Sequence, residues 1–206
     1  YLYSESSITM SNSIIKSNTG SLRMIGDRTE KIYSCTFDSN IGDVIVVAYC
    51  NIDSLYSNTF INNNGSCVRY VNNGGCTSLN NSFINNSASA INISPLSTNT
   101  TISHSGINDT YIGNNGGVYR SNISDANIDL HSSNFINNGF STNDNSNSFV
   151  DLINNYWGDV SGPYHPTQNP SGQGDSVNIF VNIDPWLTTP NTDAPPIPAQ
   201  NTTVTS

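Results

Sequence analysis

Few side chains in this 206-residue chain could do chemistry, and where they fall decides which chemistry is worth weighing. Cleavage of uronate polysaccharides needs a strong base, Arg or Lys, beside calcium-binding carboxylates. Glycoside hydrolysis needs two carboxylates about 5–10 Å apart. The chain carries 15 Asp and Glu but only six basic residues, Lys16, Arg23, Arg28, Lys31, Arg69 and Arg120. Arg23 and Arg69 stand equidistant from Val46, with Asn92 following at the same step, a column that reads as outward-facing and without acids. Asp38 occupies a position where corresponding stretches carry Ile15, Ile61 and Ile84. His104 reads as a polar rung inside the scaffold, and His165 and Asp184 as structural residues of a turn-rich closing block. The sequence therefore nominates no catalytic, cofactor-binding or metal-ligating residue and no cofactor. Tyr49, Tyr111, Tyr119 and Tyr164 are left as aromatic surfaces on which a sugar could stack. No regular outward threonine column of the kind an ice surface would need is evident.

The elements that would position these groups follow from a repeat. Ile14, Phe37, Phe60 and Phe83 are evenly spaced along the chain. Four residues earlier stand Met10, Tyr33, Tyr56, Leu79 and Ile102; eight later, Leu22, Ile45, Val68 and Ile91; ten later, Met24, Val47, Tyr70 and Ile93. Spacings of two and four place side chains on one face of a strand. A fixed period of about 23 residues built from short strands predicts an all-β solenoid, a parallel β-helix with at least two strands per turn and a third in the less regular remainder. The core is then Ile14, Phe37, Phe60, Phe83 and Phe135 with Tyr33, Tyr56, Leu79, Ile45, Val68 and Ile91. There are 34 Asn, many in fixed phase. Asn40, Asn63 and Asn86, continued by Asp109, suit a corner where Asn tolerates left-handed backbone and bonds along the stack. Asn12, Cys35, Asn58, Asn81 and His104 form a second inward column. With Gly106 in the next landmark slot, the step on to Phe135 exceeds the period, which predicts an insertion of about six within 111–127. Asn143 to Asn147 is a second loop.

Composition narrows the partners. A net charge of −9 and a pI near 4.3 exclude nucleic acid and charge-driven adhesion to anionic membranes. No apolar run is long enough to cross a bilayer. The chain opens within the repeat pattern, as a processed product or fragment would. The stretch 188–206 turns to Pro, Thr and Asn and reads as a stalk or linker that either packs on its own domain or docks on a neighbouring subunit, the second being the arrangement favoured. Four Cys allow three pairings; Cys35 and Cys67 look like small core residues, which leaves Cys50 and Cys76 as the candidate disulfide. Asn-x-Ser/Thr sequons begin at Asn64, Asn80, Asn85, Asn92, Asn99, Asn108, Asn122 and Asn201, about the number chance would give.

The repeats Phe37-Asp-Ser-Asn40, Phe60-Ile-Asn-Asn63, Phe83-Ile-Asn-Asn86 and Phe135-Ile-Asn-Asn138 resemble those of polymorphic outer-membrane proteins and microbial adhesin-like proteins. The block from Asn154 through Trp157, His165 and Trp186 to Leu187 is similar to the closing segment of right-handed parallel β-helix proteins of the pectate-lyase-like superfamily. The resemblance implies an extracellular, surface-attached, right-handed β-helix. From the residues, Trp157 and Trp186 would cap the open end, and Gly and Pro would stop further strand pairing. The expected layout is turns over 1–157, a cap over 158–187 and a tail over 188–206. The expected role is a non-enzymatic structural or adhesive module, associating with itself, surface neighbours or glycans and able to assemble through its ends and tail. The alternative is a polysaccharide lyase or a glycan-binding β-helix.

Overall fold

The computed structural model describes residues 7–26, 29–94, 102–121, 126–140, 142–143 and 149–198. Asn99, Asn122, Asn201 and most of the 143–147 loop lie outside them. Among the described residues six turns contribute three short strands each and a seventh contributes one, and these stack into three parallel sheets of seven, six and six strands. The first holds Thr9–Ser11, Thr29–Tyr33, Cys50–Tyr56, Gly74–Leu79, Ile102–Ile107, Ala126–His131 and Phe149–Asp151. The second holds Ile14–Lys16, Thr36–Asp38, Thr59–Ile61, Ser82–Ile84, Thr110–Ile112 and Asn134–Ile136. The third holds Leu22–Ile25, Ile45–Ala48, Val68–Tyr70, Ile91–Ile93, Tyr119–Ser121 and Thr142–Asn143. Among the described residues no helix is long and apolar enough to cross a membrane.

The core runs down the axis. Phe37, Phe60, Phe83 and Tyr111 are fully buried and stack face to face, with ring centroids 4.7, 4.9 and 4.7 Å apart, the rise of one coil. Phe135 and then Trp157 continue the column edge-on at 5.2 and 4.7 Å. Ile45, Val68, Ile91 and Tyr119 form the matching stack of the third sheet.

Several sequence expectations need correction. Ile15, not Ile14, pairs with Phe37, and Ile14 is 76% exposed. The first interval is thus one residue shorter than the next two, and a one-residue slip reverses which side chain faces in. Tyr56 and Leu79 are exposed and Tyr33 is only half-buried; Ile32, Leu55 and Ser78, one residue earlier, face the core instead. The cause is a corner. Ser34, Ser57, Asn80, Asn108 and Ser132 all adopt left-handed backbone, φ from 51° to 55°, which breaks strand alternation just before each landmark. A second left-handed corner follows each landmark at Ser39, Asn62, Asn85, Gly113 and Asn137. The ladder asparagines sit one residue past it. The insertion also moves. Tyr111 occupies the landmark slot, so the long interval is the one from Phe83 to Tyr111. Ile93 pairs with Tyr70 and Ile102 with Gly74, which places the extra residues between 93 and 102.

Two side-chain ladders satisfy the buried polar side chains that line the corners. In the first, Asn18, Asn40, Asn63, Asn86, Asn114 and Asn138 each donate both backbone N–H and Nδ2–H to the side-chain oxygen one coil on, at 2.8–3.3 Å, ending on Oδ2 of Asp175. From Asn40 on, each amide's second hydrogen bonds a backbone carbonyl one coil back, such as Phe37 O for Asn63. The second ladder runs Cys35, Asn58, Asn81, Asp109, Ser133, Asn155. Asp109 therefore belongs to this column rather than to that of Asn86. His104 is not a rung of it: it lies in the first sheet, level with Cys76 and Ile128.

All four Cys are free and buried. Cys50 pairs with Gly74 while Cys76 pairs with Ile52, so the expected bridge partners occupy different levels of the sheet. Of the two arrangements expected for the tail, the contacts of Asn191 and Pro195 show packing on its own domain. The Asn134 side chain bonds Asn191 N and O at 2.8 and 3.0 Å, the Asn191 amide reaches Asn108 and Ser132, and Thr110 Oγ1 donates to Pro195 O at 2.7 Å. The segment straps the second sheet of its own solenoid.

Candidate functional site

The residues first weighed for chemistry are placed apart or sealed. Lys16 pairs with Asp38 at 2.6 Å and Arg69 with Asp43 at 2.9 Å, each across one coil, so acids do stand beside these bases, contrary to the column reading. Both cations are neutralised by a single carboxylate, and Arg69 also bonds Ser94, which leaves neither as a free base. Tyr111 and Tyr119 are fully buried in the core and offer no sugar platform, while Tyr49 and Tyr164 are exposed. The second sheet does present one short outward column of hydroxyls, Thr36, Thr59, Ser82 and Thr110, which the sequence reading missed; the tail covers its Thr110 end.

The interior holds a polar cluster around His104. Tyr70 Oη lies 2.9 Å from its Nδ1, Ser78 Oγ lies 3.4 Å from its Nε2, and Ser78 donates to Asp109 Oδ2 at 2.5 Å. Burial pulls His104 down to about 3 and pushes Asp109 up to about 6, the latter opposed by bonds from Ser78, Asn81 and Tyr111. His104 and Asp109 are fully buried, so the cluster is internal hydrogen bonding rather than a reaction centre.

The C-terminal end is where the repeat stops and a cleft begins. Val177, Val181 and Ile183 plug the last coil, Trp157 is 1% exposed against Phe135, and Trp186 lies half-buried over Gly162, whose missing Cβ makes room for the indole. His165 is fully buried within this cap, its Nδ1 accepting from Thr167 N and Gln168 N, and Asp184 is exposed. Strand Gly174–Ser176 pairs with Pro163–Tyr164 and passes beside Asn137 and Phe140. Between them is a cleft of about 570 Å³ whose lining includes Asn137, Asp159, Gln173, Asp175 and Ser176, with half-exposed Phe140 at its edge. Gly174 fits because a Cβ there would strike Trp157 O.

The two carboxyls of the cleft are tuned oppositely. Hydrogen bonds from Ser161 N and Oγ, at 2.8 and 2.7 Å, hold Asp159 below the ordinary range. Burial pushes Asp175 up to about 6 against the bonds it accepts from Asn138. No sequence signal marked this pair, because nothing along the chain says that Asp175 ends a ladder begun at Asn18. Elsewhere, Asp129, His131 and Asp151 bring one imidazole and two carboxylates within metal-ligand reach of one another.

Of the sequons within the described residues, Asn64 and Asn85 are exposed, Asn80 and Asn92 are half-buried, and Asn108 is engaged by the tail. A family model described as "Right handed beta helix region" matches residues 1–107. No curated protein and no solved structure matches the chain.

Proposed function

The chain belongs to the right-handed β-helix family, and on that premise we propose that it is a non-enzymatic, extracellular surface module that adheres by holding a glycan in its C-terminal cleft. The observation that carries this reading is the cleft itself: about 570 Å³, lined by amide, hydroxyl and carboxyl groups and edged by Phe140. Sugars are bound by that combination, polar groups matching hydroxyls and an aromatic face covering the C–H surface. The scaffold supports it by rigidity, since ladders and stacks hold the cleft walls in place. The adhesin-like repeats support a cell-surface location, where the exposed sequons at Asn64 and Asn85 would be open to glycosylation. Assembly through the tail is not part of the reading, because residues 188–198 lie on their own solenoid.

A glycan array tests it, followed by the Phe140→Ala and Gln173→Ala variants against the best ligand. Both side chains can be lost without unfolding the scaffold, so binding should weaken about tenfold or more with the melting temperature unchanged. An array without ligands, or affinity indifferent to both substitutions, would defeat the proposal.

One observation favours a second reading, glycoside hydrolysis. Two carboxyls in one cleft with their proton affinities pushed apart are what an acid and a base require. Incubation of bound oligosaccharides with the protein, scoring new reducing ends, separates the two. Release that disappears in both Asp159→Asn and Asp175→Asn would establish the enzyme.

A further inference from the structure

Asp129 and Asp151 are directly opposed neighbours on parallel strands of the first sheet. Like charges stacked this way repel. His131 stands two residues along, its Nε2 2.8 Å from Asp129 Oδ1 and 3.7 Å from Asp151 Oδ2. A second observation concerns the atoms themselves. Asp129 Oδ1 and His131 Nε2 are both shielded from solvent and neither makes an aligned hydrogen bond, despite their 2.8 Å separation. They are close without being donor and acceptor in line, which is how two lone pairs sit when they converge on a third atom. Asp151 is held in place separately, its Oδ1 accepting from Asn182 Nδ2 at 3.2 Å and Ile153 N at 3.3 Å, which leaves Oδ2 turned toward the histidine.

We propose that Asp129, His131 and Asp151 form a three-ligand site for a divalent metal of the zinc class. One imidazole nitrogen and two carboxylate oxygens suit such an ion better than calcium, which takes oxygen ligands alone. Bonds of about 2.0–2.2 Å in a tetrahedral site put neighbouring ligand atoms about 3.3–3.5 Å apart, and the two measured separations bracket that span. The ion cancels the repulsion between the stacked carboxylates, satisfies both shielded atoms and ties strand Ala126–His131 to strand Phe149–Asp151, bracing the last coils beneath the cap. Three protein ligands leave a fourth position for water or an incoming group. The competing arrangement is a protonated His131 bridging both carboxylates with no metal.

The experiment is a titration of metal-stripped full chain with zinc chloride, read by calorimetry, by the His131 ring resonances and by melting temperature. His104 and His165 are fully buried, so His131 is the half-exposed imidazole of the three, and His131→Gln confirms its signals. One equivalent should bind, the His131 ring signals should shift and the melting temperature should rise with zinc concentration. His131→Gln and Asp151→Asn should each weaken binding at least about tenfold, while metal-free melting shows that both variants fold. No binding heat and no shift of the His131 ring, affinity unchanged in both variants, or calcium binding as tightly as zinc would each overturn the proposal.

Discussion

Replacing Asn63 by Ala tests whether the amide ladder holds the coils together. Asn63 is 1% exposed. Its Oδ1 accepts from Asn40 N and Asn40 Nδ2, both at 3.0 Å, and its Nδ2 donates to Phe37 O and Asn86 Oδ1, also at 3.0 Å. Alanine removes all four bonds. Asn86 Oδ1 keeps the backbone N–H of residue 63, but Asn40 N, one hydrogen of Asn40 Nδ2 and the Phe37 carbonyl lose these partners in the interior. Each buried group left unsatisfied costs about 1–3 kcal/mol, so a loss of roughly 4 kcal/mol is expected. At about 2–4 °C per kcal/mol for a chain of this size, the melting midpoint should fall by roughly 8–16 °C. The control is the next residue. Asn64 is exposed and its side chain accepts from Ser87 Oγ alone, so Asn64→Ala, which keeps the backbone bonds, should stay within about 0.5 kcal/mol. Thermal and urea unfolding of both variants measure the contrast. Equal, small effects at the two neighbours would refute the reasoning, because they share chemistry and local sequence and differ in whether they belong to the ladder.

Trp157→Ala should cost about 3–5 kcal/mol by urea unfolding, since it empties the indole's place against Phe135; an unchanged midpoint would mean the cap does not depend on it. Asp175→Asn keeps the acceptor of the Asn138 bonds and removes the charge. Asp175's folded pKa is about 6 against an ordinary 3.8, so its contribution is fully present below about pH 3.8 and is lost as pH rises through 6. The variant should therefore be more stable than the parent at pH 8, by up to about 3 kcal/mol, and level with it near pH 4; a difference that does not vary with pH would contradict this. The native protein should resist thiol alkylation, because all four Cys are buried and burial pushes Cys50 up to about 11, whereas unfolded protein should take up four labels by mass spectrometry. Two labels would mean a disulfide.

Phe37, Phe60 and Phe83 showed the solenoid in the sequence because identical residues must stack where each coil lies on the last. The face assignments were less legible. Tyr33, Tyr56 and Leu79 sit four residues from the landmark, an even number that implies the same side, but the left-handed serine or asparagine between them resets the count. Tyr111 was hidden because it replaces Phe in the column while an insertion shifts the spacing. The cleft was not legible at all: Asp159 and Asp175 line one cleft only because the cap folds back over the last coil. Nor did Asp129, His131 and Asp151 form a motif, since their proximity depends on strand register across a coil whose length departs from the repeat.

The amide ladder has one further consequence. A middle coil receives from its predecessor the same bonds that it gives to its successor, so neither neighbour can tell whether a copy has been added between them. Duplication or deletion of such a coil leaves the amide-to-amide pattern of the ladder unchanged and alters length in steps of the 4.7–4.9 Å ring spacing. As far as the ladder is concerned, reach changes by whole coils, and the end closed by Asp175 is carried along without being rebuilt.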